Sequence, residues 1–243
     1  MNSANQRNGS VLLLCILLCT AWAVPTAMAQ KRGEKSAPSG GWTEDKGRYR
    51  VVVDGQPAGI EDFQISRAGN EWVARGTVEI PAAGGTSKLT GKLRVSATGA
   101  PISYDYDWAP HGGKKISATV TFEAGLARMD TQMEGAQPFS QDFKFDTPVI
   151  ALLDNNLYHQ YTILARVYDW EKKGAQTFPV LIPQDQTPGT ITVEWVSAHA
   201  AEGQKLDLLR VRSADLEIEL YVDSARRVLR IAVPASKAEV VRE

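Results

Sequence analysis

The sequence predicts a mainly β (α+β) fold: a curved antiparallel sheet, or half-barrel, of about ten strands cradling one long helix. Three observations carry this. From residue 48 onward, turn signals interrupt short apolar segments every 8–12 residues, the spacing of an antiparallel meander. One stretch, LLDNNLYHQYTILARVYDW (152–170), switches to a helical apolar period. Alternating segments then resume, and LEIELYV places Leu216, Ile218, Leu220 and Val222 on one face with Glu217, Glu219 and Tyr221 on the other.

The N-terminus has the layout of an export signal. One cation, Arg7, precedes the apolar run VLLLCILLCTAWAV, and Ala27-Met28-Ala29 supplies the small-x-small cleavage pattern. Residues 1–29 are therefore expected to be removed in a periplasmic or secreted protein. The run is short of the roughly 20 residues a membrane span needs, and no later stretch is apolar enough to span, so no transmembrane segment is expected after cleavage. Both cysteines, Cys15 and Cys19, fall inside the signal. The remainder must be stabilised by an apolar core and not by disulfides. It carries 26 basic and 28 acidic residues, a balance that offers nucleic acid no basic surface. Residues 30–47, rich in Gly, Ser, Pro and Lys, are read as a disordered polar tether. Residues 48–243 form a single domain.

Within that domain, 48–80 holds three strands, turned at Asp54-Gly55 and at 67–70. PAAGGTS (81–87) is a loop. Two strands occupy 88–110, a hairpin occupies 114–135, and QDFKFD (141–146) is a further strand. The helix is expected over 155–171, a segment free of Gly and Pro, with Leu157, Tyr161, Leu164 and Tyr168 on its buried face. Its apolar arc is wider than a flat surface requires, so it calls for a concave partner. Gln160 interrupts that arc, and a buried amide needs a partner. Strands follow at 178–184, 190–196, 205–212, 215–223 and 227–234.

Catalytic signals are sparse. The chain has no G-x-S-x-G, no H-E-x-x-H, no phosphate loop and no G-x-G-x-x-G after a strand. His111, His159 and His199 stand far apart, and no metal-ligand spacing occurs. His159 falls opposite the buried face of the predicted helix and is read as solvated. In ISYDYDWAP, Asp105 and Asp107 share one face, a solvent face by default, while Tyr104, Tyr106 and Trp108 line the other.

The segments DGQPAGIEDFQI, LLDNNLYHQYTILARVYDW, FPVLIPQ and LEIELYVDSARRVLRIAVPASKAEVVRE together resemble the N-terminal β-domain of bacterial exported α/β-hydrolase-type proteins. The resemblance spans about 48–243 and is most specific at VD-x(4)-VLRIAVP-x(4)-EVVRE. It stops short of the catalytic domain, so it implies an accessory module and transfers no catalytic residue. The layout is also similar, at the level of fold, to the lipoprotein-carrier (Lol) half-barrels, which hold acyl chains in a concave face but contain several helices.

These readings converge on an exported, non-enzymatic module that holds an apolar ligand or an envelope protein in its concave face. The expected lining is Tyr104, Tyr106, Trp108, Leu157, Gln160, Tyr161 and Leu164, with no catalytic residue, no metal and no cofactor. The alternatives are an envelope-assembly protein that docks a partner, and a hydrolase built around His159 or the Asp105/Asp107 pair.

Overall fold

The computed structural model describes residues 42–201 and 204–243. The signal and most of the tether lie outside the described residues; residues 45–47 open the first strand. The strands of the first half are β1 (Asp45–Val53), β2 (Gln56–Ala68), β3 (Glu71–Ala82), β4 (Gly85–Ser96), β5 (Pro101–Ala109), β6 (Ile116–Glu123), β7 (Leu126–Met133) and β8 (Phe139–Lys144). A two-residue strand β9 (Ala151–Leu152) precedes the helix α1 (Gln160–Val167). Then come β10 (Ala175–Ile182), β11 (Thr187–Ala201), β12 (Gln204–Arg212), β13 (Glu217–Val222), β14 (Val228–Val233) and β15 (Ala238–Arg242).

All fifteen strands form one sheet, in the order β8-β7-β6-β5-β4-β3-β2-β1-β15-β14-β13-β12-β11-β10-β9. Two meanders run outward from a central seam where the first strand pairs with the last, Tyr49 opposite Arg242 through Val53 opposite Ala238. Every pairing is antiparallel except that of β9 with β10. At the seam, Arg242 holds Asp45 through two hydrogen bonds of 3.0 and 2.6 Å, and the guanidinium of Arg166 stands 3.9 Å from the same carboxylate. Both Asp45 and Arg166 have side chains only 2% exposed, so this pairing of chain ends is made away from water.

Three expectations differ from the structure. The sheet has fifteen strands, not about ten. PAAGGTS is mostly strand: β3 runs to Ala82 and β4 restarts at Gly85, leaving Ala83 and a positive-φ Gly84 as a tight turn. β9 has no periodicity to read, and β15 sits in a charged terminal segment. The long helix is also contradicted. Only Gln160–Val167 is helical. Asn156 has φ 65°, which ends any helix at that residue, and Tyr158–Thr162 begin with three-residue turn bonds such as Tyr161 N–H to Tyr158 O at 3.1 Å. At the other end Tyr168 turns extended, and Asp169 Oδ1 accepts the amides of Glu171 and Lys172. The apolar spacing reflected burial on all sides, not helix length. Gln160, Thr162, Ile163, Leu164 and Ala165 are all buried.

The segment 153–170 is thus a plug against the inner face of the sheet, touched from both arms. Tyr49 Oη of β1 lies 3.4 Å from Thr162 Oγ1 of the plug, and Tyr168 Oη accepts Trp195 N–H of β11 at 3.0 Å. What seats it is a carboxylate. Glu61, on the inward face of β2 and fully buried, accepts Tyr158 N–H at 2.9 Å, His159 N–H at 3.1 Å and the ring Nδ1 of His159 at 2.5 Å. His159 is therefore fully buried and not solvated, its ring stacked 6.3 Å from Phe63. The register aligns Phe63, Gly76, Gly91 and Tyr106 across β2–β5. A Cβ at Gly76 would strike the Glu61 carboxylate and the His159 ring, and one at Gly91 would lie 2.6 Å from Leu157 Cδ1. Two missing side chains make the seat.

His159→Ala is accordingly a costly change. It leaves Glu61 with a buried, under-satisfied charge, and removing one partner of a buried pair costs about 3–5 kcal/mol. Leu164→Ala, in the core, costs about 2–5 kcal/mol. Denaturant midpoints of the two variants should fall by similar amounts; a His159→Ala midpoint near wild type would remove His159 from the anchor.

Candidate functional site: a cavity beside the plug

Opposite the Glu61 anchor, between the plug and strands β10–β13, lies a cavity of about 500 Å³. The plug contributes Leu153, Asp154, Asn155, Asn156, Tyr158 and Tyr161. β10 and β11 contribute Val180, Ile182, Gly189 and Ile191, and β12 and β13 contribute Val211 and Ile218. Val180, Ile191, Val211 and Ile218 are buried and form a floor, set inward by strand alternation; Asn155, Asn156, Gly189 and the loop 213–216 are exposed and form the rim. Leu216 in that loop is 42% exposed, an apolar side chain at the mouth. The volume falls within the range of small-molecule sites.

One carboxyl group reaches the cavity from the plug wall. Asp154 is 5% exposed; its Oδ2 accepts the Tyr104 hydroxyl at 2.6 Å and its Oδ1 accepts Gln184 N–H at 2.9 Å. Gln160 Oε1 accepts the Asp154 amide at 2.5 Å, which pairs the oxygen of that buried side chain, while its Nε2 has no hydrogen-bond partner among the described residues. Burial pushes the Asp154 carboxyl up to about 6, against the hydrogen bonds that pull it down. Burial likewise pushes the Tyr158 hydroxyl up to about 12, so it is uncharged at neutral pH.

Of the residues expected to line a ligand site, only Tyr161 faces this cavity. Tyr104, Leu157 and Leu164 are buried in solid core, Tyr106 is buried beside them, Trp108 packs partly buried against the same cluster, and Gln160 is spent on the Asp154 turn. The aromatic row of β5 packs as a wall against the plug, with Tyr104 Oη donating to Asp154. The open space lies on the other arm, where Val180, Ile191, Val211 and Ile218 alternate with outward residues. Gly189 opposite Val180 was its available signal: a side-chain-free position facing a floor residue. The two hydrolase candidates do not meet. His159 is inside, while Asp105 points outward to Lys92 at 3.4 Å. The buried Nε2 of His159 has no hydrogen-bond partner among the described residues, so no hydroxyl is poised on it.

No family model matches this chain, and no curated protein matches it. Among solved structures it is similar to the β-barrel-like protein of domain of unknown function DUF1849 from Brucella abortus, at 8% identity and TM-score 0.54, covering 83% of this chain and 96% of that one. It also matches a DUF1089 family protein from Pseudomonas aeruginosa at 12% identity and TM-score 0.46, covering 74% of this chain and 90% of that one. The first likeness establishes the class: a β-barrel-like fold, here an open sheet around a short plug. It supports the barrel-like part of the sequence resemblance and gives none to the hydrolase accessory domain.

Asp154 gives the site a pH signature. Its carboxyl holds a proton in the fold up to about pH 6, whereas the unfolded chain loses it near the ordinary 3.8. The folded state therefore binds more protons in that window, and this group's contribution to stability falls as pH rises from about 4 to about 6. Asp154→Asn keeps an acceptor for Gln184 and turns a donor toward the Tyr104 oxygen. The stability of the variant relative to wild type should rise by about 1–3 kcal/mol between pH 4 and pH 7. Parallel pH–stability curves for the two proteins would contradict the assignment.

Proposed function

We propose that the protein is an exported, non-enzymatic binding module that holds an apolar small molecule in the cavity between the plug and strands β10–β13. The single observation that carries this is the cavity itself, about 500 Å³, with a buried aliphatic floor and a polar rim. Three further points support it. The N-terminal sequence has the form of an export signal, consistent with a periplasmic or secreted protein. The sequence holds no catalytic motif of the recognised kinds, and the barrel-like fold is compatible with a binding module. The buried His159 serves the anchor, which leaves it unsuited to work on a substrate.

The test is a titration of the folded protein with N-phenyl-1-naphthylamine, an uncharged probe that brightens in apolar surroundings. Wild type should bind saturably. Gly189→Phe should weaken binding at least tenfold without lowering the denaturant midpoint, because a Cβ at Gly189 meets only Val180 Cγ1, at an ordinary 3.5 Å, and the ring would extend into the cavity. Absence of saturable binding, or equal binding by Gly189→Phe, overturns the proposal.

A further inference from the structure

The charge of the cavity lining narrows the ligand class, given the binding role proposed above. The charged side chains that line it are Asp154 in the wall and Asp215 at the mouth; none of the described lining residues is Lys, Arg or His. A third carboxylate, Asp185, stands just behind the rim and accepts Asn155 Nδ2–H at 3.0 Å. Tyr158 spends its hydroxyl proton on Asn156 Oδ1 at 3.2 Å, so it offers the cavity an acceptor and no donor. Near the cavity, Arg210 and Arg212 of β12 are bound to Glu217, Glu219 and Glu194, and Lys237, in the turn before β15, to Asp54. The charged groups of the lining are thus all negative, while the floor is aliphatic.

We infer that the cavity takes amphiphiles whose head group donates hydrogen bonds and carries no negative charge, with long-chain amines preferred over alcohols and alcohols over carboxylates. An ammonium head at the mouth meets carboxylates across a partly desolvated rim, where the attraction is several times its value in bulk water. A carboxylate or phosphate head meets the same groups as repulsion, with no guanidinium or ammonium to offset it. Free fatty acids and anionic phospholipids are therefore poor ligands, although their tails fit the floor.

The experiment is displacement of bound N-phenyl-1-naphthylamine at pH 8 by dodecylamine, dodecanol and dodecanoate, each below its micelle concentration. Dodecylamine should displace the probe at a concentration at least tenfold lower than dodecanoate, with dodecanol between. Asp215→Lys, which reverses the charge at an exposed position of the mouth, should narrow the amine-to-carboxylate ratio by about tenfold, with each displacement read against that variant's own probe affinity. Saturable probe binding with dodecanoate equal to or better than dodecylamine, or a ratio that Asp215→Lys leaves unmoved, overturns the inference while leaving the binding role intact. Failure of the probe to bind wild type overturns both.

Discussion

The buried carboxylate of Glu61 is the constraint on which the rest of the arrangement hangs. A charged group with no exposure is tolerated only when its lone pairs are taken up. Here three N–H groups of the plug do so, two from the backbone of Tyr158 and His159 and one from the His159 ring. These are charge-assisted bonds, roughly twice as strong as neutral ones. They also satisfy backbone donors just ahead of α1 that would otherwise lie orphaned in an apolar interior. Glu61 thus fixes one point of the plug against β2, and the glycines at 76 and 91 let the plug come close enough to be held.

From that fixed point the remaining geometry follows. With His159 pressed onto the β2–β3 side, Tyr158 and Tyr161 are carried toward the opposite arm, where they bound the cavity above Val180, Val211 and Ile218. Asp154, five residues upstream, is pinned by Tyr104 from β5 and by the turn at Gln184, so it bridges the two arms. The interior is therefore uneven: dense where β4 and β5 meet the plug, open where β10–β13 do. A module that must hold a ligand and also stay folded has reason to separate the two, because a cavity in the dense half would strip contacts from the anchor.

Much of the sheet was legible in the sequence, since turn residues at Asp54-Gly55, Gly69, Gly99 and Gly125 mark hairpins and alternation tells which side of each strand is inward. The two-residue β9 and the charged β15 were not, because strands that short have no pattern of their own. The helix was overextended because its apolar spacing records burial on all sides, whereas Asn156 and Asp169 end it through local backbone chemistry that spacing does not reveal. In the site, Tyr161, which the helical spacing marks as a lining residue, borders the cavity, whereas the aromatic row of β5 packs in the core against the plug. The anchor does leave a mark in the sequence: Glu61 falls in register with Gly59, Phe63 and Ile65 on the inward face of β2, and an acid there requires a buried partner. A helical wheel does not place His159, because it precedes the helix and its ring turns to Glu61.

The most direct test of this account is amide hydrogen exchange at Tyr158 and His159. If the Glu61 carboxylate holds the plug, these two amides open only when the whole domain does, and they should exchange as slowly as the central amides of β2 and β3. Exchange orders of magnitude faster than that, under conditions where the sheet amides remain protected, would show that the plug moves independently of Glu61 and would contradict the account.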